Sequence, residues 1–194
     1  MRKWDKVQQM KPKQYACGFC EKAVASEKGW ITGASTPHWL ILICPICAQP
    51  TFFGDEDLQL PRPKLGAPVE HLPPEINAVF EEARTCTEHD CYTAAVMLCR
   101  KLLMNVAVDK GAQEGKRFVG YVKYMVEKGM VPLDVESALE KVKDLGNEAN
   151  HAVTQRSESE AQTILRFLEI VLRMNYEYPR QLTGGPASPD SPSA

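Results

Sequence analysis

Apolar side chains follow two different rhythms along this chain, and the change between them falls near residue 74. From there to about residue 178 they return every three or four positions, the period of a helix with one buried face. Pro74-Glu75 suits a first helical turn, where a missing N–H costs nothing, and Ile76, Val79, Phe80 and Ala83 then share a face. A second helix is predicted from near Cys91 through YTAAVMLCRKLLMNVAVDK to Gly111. It is apolar around most of its circumference, which marks a central helix packed by the others. KRFVGYVKYMVEK predicts a third helix that stops at Gly129, a residue suited to the left-handed position beyond a helix end. A fourth is expected from Leu133 to Val135 onward, with Leu139, Val142, Leu145 and Ala149 inward. The fifth opens on a capping box, Ser157 with Glu160, and turns Ile164, Leu168, Val171 and Leu172 to the core. The expected class is mainly α, with an antiparallel bundle of about five helices.

The earlier part of the chain has a different character. Residues 14–54 are rich in Cys, Gly and aromatics; HWLILIC reads as a strand, and TFF after Pro50 as a short return strand. CGFC at Cys17 to Cys20 and CPIC at Cys44 to Cys47 give C-x2-C, 23 residues, C-x2-C. Each pair can set two thiolates on one tight turn, and two such knuckles brought together supply a closed tetrahedral site of four sulfurs. Zn²⁺ suits it, having no redox chemistry and no strong geometric demand of its own. A small β zinc ribbon is therefore expected ahead of the helices, with structural zinc on Cys17, Cys20, Cys44 and Cys47. Paired disulfides would need an oxidising compartment, and a redox C-x-x-C would need one pair only; both remain alternatives. Cys86, Cys91 and Cys99 fall in helical segments, where free cysteine is mostly a small buried hydrophobe.

These zones divide the chain into a basic amino-terminal segment (1–13), the ribbon (14–54), a proline-punctuated connector (55–73), a helical domain (74–178) and a Pro/Ser/Gly-rich tail (179–194) expected to be disordered. The charged start MRKWDKVQQMKPKQ has no apolar stretch of a signal peptide, and the longest apolar run, Trp39 to Ile46, is far shorter than a membrane span. A soluble cytoplasmic protein without a membrane partner is expected. The net charge of −2 hides an asymmetry: residues 1–30 hold seven Lys/Arg against three Asp/Glu, and residues 72–178 hold 13 against 17. Any nucleic-acid partner would be drawn to the amino-terminal end.

One stretch of the expected fourth helix is poor helix material. In KDLGNEANHAV, Gly146, Asn147 and Asn150 together cost about 2 kcal/mol of helix propensity relative to alanine. Lys143, Asn147 and His151 fall at i, i+4 and i+8, one polar stripe on one face. Two uses fit: a packing role, with Asn147 on a neighbouring backbone and His151 a satisfied interior histidine, or a site in which His151 is general acid/base and Lys143 steadies negative charge.

The segments LPPEINAVFEEARTCTEHDCYTAAVMLCRKLL (Leu72 to Leu103) and LEKVKDLGNEANHAV (Leu139 to Val153) resemble the bacterial domain of unknown function 4145, with Gly146, Asn147 and His151 the most specific positions. That family is placed with the HEPN helical superfamily, whose active members are metal-independent endoribonucleases using an Arg-x(4–6)-His motif, commonly across a dimer. The resemblance implies RNA binding or cleavage in a prophage or defence setting, and a homodimer. It implies His151 as the proton-transfer group, Asn147 as its orienter, and Lys143 or Arg100 as holder of the phosphate charge. Here seven residues separate Lys143 from His151, and lysine lacks the planar fork of arginine. The other reading is a non-catalytic interaction or dimerisation module with structural zinc, and a third makes the ribbon a DNA-binding head.

Overall fold

The computed structural model describes residues 6–32, 39–131, 141–142, 144 and 155–184. The chain forms two compact units, Met1–Lys64 and Leu65–Ala194. The first is an antiparallel sheet in simple sequential order: β1 (Gln8–Ala16), β2 (Ala23–Ile31), β3 (Leu40–Ile43), β4 (Pro50–Phe53) and β5 (Gln59–Leu60). The turn from β1 to β2 carries CGFC and the turn from β3 to β4 carries CPIC, so each cysteine pair is the tip of a hairpin.

Register separates the two faces of this sheet. Trp30 pairs with Ile41, Ile41 with Phe52, and Phe52 with Leu60, one cross-strand row. The neighbouring row sets Leu42 opposite Thr51, and both are buried, as is Phe53. Since successive residues point to opposite faces, one face is covered and the other is wholly apolar along its row.

The expectation of a mainly α, five-helix bundle with a small β element is corrected. Among the described residues a five-stranded antiparallel sheet stands beside four helices of ten or more residues, so the chain is mixed α and β. The missed β content lies in β1 and β2, and β1, QQMKPKQYA, has little β propensity and no apolar alternation. Its pairing with β2 makes it a strand, and the ladder slips between Gln9 and Lys13 around Pro12, as an edge strand can tolerate. The expected fourth helix lies outside the described residues except at Lys141, Val142 and Asp144, which are helical, with Val142 fully buried.

The second unit holds α1 (Pro74–Glu88), α2 (Tyr92–Asp109), α3 (Phe118–Glu127), α4 (Glu158–Leu172), a π-helical turn (Arg173–Glu177) and a short α5 (Tyr178–Thr183). Leu102, Leu103 and Val106 of α2 meet Phe80 of α1, Val122 and Met125 of α3, and Ile164, Leu165 and Leu168 of α4 in one fully buried cluster. Three helices end alike, with paired hydrogen bonds back into the last turn around a left-handed residue. These are Asp90 after α1, Gly111 after α2 and Gly129 after α3.

Residues 65–70, part of the expected connector, are clamped to the helices by a polar network. Arg84 is fully buried; its Nε donates to Leu65 O (3.3 Å), Nη2 to Gly66 O (3.1 Å) and Nη1 to both oxygens of Glu81 (2.8 and 3.0 Å). Glu169 accepts from Ala67 N (3.1 Å), Glu177 from Glu70 N (2.8 Å), and Arg173 joins both carboxylates while donating to Pro68 O (2.9 Å). Every charge taken from water here is met by an opposite charge or a carbonyl, which makes its burial tolerable.

Candidate functional site

Two knuckles of matching geometry bring the four cysteines together. In the first, Cys17 N donates to Lys22 O (3.0 Å) and Glu21 N to Cys17 O (2.8 Å); in the second, Cys44 N donates to Gln49 O (2.9 Å) and Ala48 N to Cys44 O (2.9 Å). Glu21 and Ala48, each just after the second cysteine of its pair, take left-handed φ of 58° and 55°. Gly18 has a different use: a Cβ there would strike the carbonyl of Pro61, so the glycine admits the returning chain against the knuckle. Gln59 fastens that return, its Nε2 donating to Ala16 O (2.6 Å) and Pro61 O (3.3 Å).

Across the knuckles, Cys17 Sγ lies 3.7 Å from Cys47 Sγ and Cys20 Sγ 3.8 Å from Cys44 Sγ, and all four sulfurs fall within 4.8 Å of one another. A tetrahedron of sulfurs about 2.3 Å from a central Zn²⁺ has edges of about 3.8 Å. The four thiols thus make a site that could hold a metal ion. Cys17 and Cys44 are buried and Cys20 and Cys47 half-buried, and Tyr15 and Val24 pack against the cluster. Burial first, and then the other three thiols, push the Cys47 thiol up to about 12. Cys20 is also pushed up, chiefly by burial. Burial acts on Cys44 as well, but the N–H groups of Cys47 and Ile46, together with the Cys47 and Cys17 thiols, outweigh it and lower the thiol. A cation among four sulfurs this close would favour their thiolate forms.

Beyond the cysteines, the ribbon presents the apolar row already described. Ile41 is 39% exposed and Leu60 47%; Trp39, also 47% exposed, meets Phe52 edge to face at 5.8 Å. By sequence HWLILIC reads as a strand, without marking an exposed face. Its alternation of Trp39, Ile41 and Ile43 against buried Leu42 was the available signal.

Of the other residues singled out from sequence, Lys143, Asn147 and His151 lie outside the described residues. Arg100 is placed: it sits half-buried on α2, its guanidinium over the Phe118 ring at 5.0 Å, its Nε buried with no hydrogen-bond partner. The ion pair with a carboxylate that a buried arginine invites is not formed among the described residues. Cys99 is a fully buried core residue whose thiol burial pushes up to about 12, Cys86 is half-buried and Cys91 exposed. Arg84 and Arg173 had not been singled out; the run LGAPVE beside them, low in helix and strand formers, was the only trace of their role.

No helix among the described residues is long and apolar enough to cross a membrane. No curated protein and no solved structure matches the chain. A family model described as Domain of unknown function (DUF4145) matches residues 81–185, from within α1 to the end of α5, with the ribbon outside the match. That stretch is more than half of the 194 residues, and the chain belongs to the DUF4145 family.

Proposed function

We propose that the protein binds RNA, with a zinc-held ribbon as the contact surface and a HEPN-like helical unit that holds or cleaves the strand. Zn²⁺ on Cys17, Cys20, Cys44 and Cys47 is structural in this reading, since four protein sulfurs leave no position for substrate. The observation that carries it is the exposed apolar row of the sheet, where Trp39 and Phe52 stand edge to face beside Ile41 and Leu60. Aromatic platforms take bases of single strands by stacking, at about 1–3 kcal/mol per base. Charge supports the same partner: Lys6 to Thr32 hold five lysines against two glutamates, while the helical region is acidic.

In the catalytic form of this reading His151 takes a ribose 2′-hydroxyl proton, or returns one to the leaving 5′-oxygen. Asn147 orients it, and Lys143 or Arg100 holds the phosphate charge. A His151→Ala protein that stays folded would then bind RNA without cutting it.

The test is titration of a labelled single-stranded RNA with the zinc-loaded chain and its Trp39→Ala variant. Loss of one stacked base weakens binding about tenfold or more at unchanged metal content. Equal binding by both proteins would sink the reading. The second reading is a protein-docking ribbon without catalysis, and the aliphatic members Ile41 and Leu60 favour it, since they offer no ring to stack. Absence of RNA binding at low salt would select it.

A further inference from the structure

Three cysteines lie outside the knuckles, and two of them share one corner of the helical unit. Cys86 is in the last turn of α1, and Cys91 stands at the N-cap of α2. Between them the chain makes a full end-of-helix turn. Asp90 is left-handed (φ 57°), Cys91 N donates to Cys86 O at 2.8 Å, and Asp90 N donates to Thr87 O at 3.4 Å. Two such bonds around a left-handed residue bring the side chain just past the helix end against one in its last turn, a contact usually made by two apolar groups. Here the two places are held by thiols.

The hydrogen bond also bounds their separation. With standard bond lengths, the path from Cys86 Cα through its carbonyl oxygen to Cys91 N and Cα spans at most about 6.7 Å even when straight. Disulfide-linked residues have Cα atoms about 4.4–6.8 Å apart, so a bond between these two requires no movement of the backbone. The corner is held from both sides. Thr87 Oγ1 donates to Arg84 O at 2.6 Å and accepts from Leu65 N at 3.0 Å, while Ala95 N donates to Cys91 O at 3.0 Å and Tyr92 Oη to Asp90 Oδ1 at 2.6 Å. Side-chain rotation is what brings the sulfurs together: Cys91 Sγ is turned to His89 O at 3.4 Å, and a thiol is a weak donor.

The two thiols differ in access. Cys91 is exposed, Cys86 is half-buried, and Cys99 is fully buried. Burial, then the charge of Cys91, then that of Glu82 raise the Cys86 thiol, so each sulfur lies within the other's field. An exposed sulfur with a shielded one beside it is the arrangement of an attacking and a resolving thiol.

We propose that Cys86 and Cys91 form a reversible dithiol site, modified by low-molecular-weight disulfides of the glutathione class. The Cys91 thiolate attacks one sulfur of the disulfide, forming a mixed disulfide and releasing one glutathione thiolate. Cys86, its proton given to solvent, then attacks Cys91 Sγ; the bond to glutathione breaks, and the second glutathione leaves with the electron pair. The chain gives up two electrons and two protons, and one glutathione disulfide becomes two thiols. The product ties the last turn of α1 to the first of α2 and is open to reduction by the same route, since exposed disulfides are the labile ones.

The test equilibrates the full zinc-loaded chain with reduced and oxidised glutathione at a series of ratios. Samples are quenched in acid, alkylated and mapped by mass spectrometry, with bound zinc measured alongside. Cys86 and Cys91 are expected to lose alkylation together, to be found joined to each other, and to recover both thiols on addition of reduced glutathione, with zinc retained throughout. In Cys86→Ser the reaction stops at the mixed disulfide, so glutathione on Cys91 rises at least about tenfold over the native chain, where a neighbouring thiol displaces it. In Cys91→Ser, Cys86 stays free. Glutathione retained on Cys91 of the native chain while Cys86 remains free overturns the proposal, because Cys91 is then an exposed thiol without a partner. So does a link from either residue to Cys99, a link that forms only as zinc is released, or full alkylation of both residues at every ratio. These outcomes are read on the native chain and stand even if a variant fails to fold.

Discussion

The two units of this chain are stabilised by opposite strategies. Among its described residues the ribbon buries few apolar side chains, Cys17, Val24 and Cys44 in one cluster with Leu42, Ala48 and Phe53 besides. The helical unit buries residues from each of the four long helices among its described residues in one continuous cluster. A nucleus that small cannot offset the ordering of some fifty residues, because each ordered residue costs about 1–2 kcal/mol of backbone entropy. A metal held by the four sulfurs would supply the difference, whereas the helices draw it from many apolar contacts of modest value. The contrast predicts different failures: one unit should be switched off by a single atom type, the other only eroded.

The largest expected effect is metal removal. Chelation, or Cys44→Ser, should unfold the ribbon alone, with a loss on the order of 10 kcal/mol of metal-coupled folding free energy. Amide hydrogen exchange would show β1 to β4 unprotected while α2 and α4 keep their protection. Metal analysis of the native protein should give about one zinc per chain. If both units lose protection together, or neither does, the contrast is false.

Arg84 tests the other side. Its guanidinium is fully buried and holds Leu65 O, Gly66 O and Glu81, so Arg84→Ala leaves two carbonyls without that donor and a carboxylate without that partner. Breaking a buried pair from one side costs about 3–5 kcal/mol. The denaturation midpoint of the helical unit should fall accordingly, with bound metal unchanged. Loss of metal in this variant would mean that the units do not fail separately.

How much of this was legible depended on whether the information was local. The four-cysteine cluster was readable because C-x2-C spacing sets two thiols on one turn wherever it occurs. The capping box at Ser157 and the glycine after α3 were readable for the same reason, being fixed within a few residues. Strand β1 was not, because QQMKPKQYA becomes a strand only through its partner β2. Asp90 closes α1 in the left-handed position where glycine is the usual signal, which hid that helix end. The clamp on residues 65–70 joins partners such as Ala67 and Glu169 that lie a hundred residues apart, beyond any periodicity. Arg100 was readable as an odd charge on an apolar helix, but its seat against Phe118 and Arg156 belongs to tertiary packing.

The smallest effect separates the units by their response to acid. Ser157 Oγ accepts from Glu160 N at 3.3 Å and the Glu160 carboxylate accepts from Ser157 N at 2.7 Å, a reciprocal cap on α4. Ser157→Ala should cost about 1 kcal/mol at neutral pH. The Ser157 N–H, with help from Arg156, holds the Glu160 carboxyl below its ordinary value. A carboxyl lower in the folded than in the unfolded chain binds fewer protons when folded. Its contribution is complete above the unfolded value near 4.3 and fades as pH falls through the lower folded value. Glu160→Gln should therefore be less stable than the native protein at pH 7, with the gap closing as the medium becomes more acidic than pH 4. The ribbon should instead lose its fold when its thiolates regain protons and release the metal, a transition that follows zinc concentration. A helical-unit midpoint that shifted with zinc, or a gap between Glu160→Gln and native that stayed constant down to pH 3, would erase the distinction between a unit held by one ion and a unit held by many contacts.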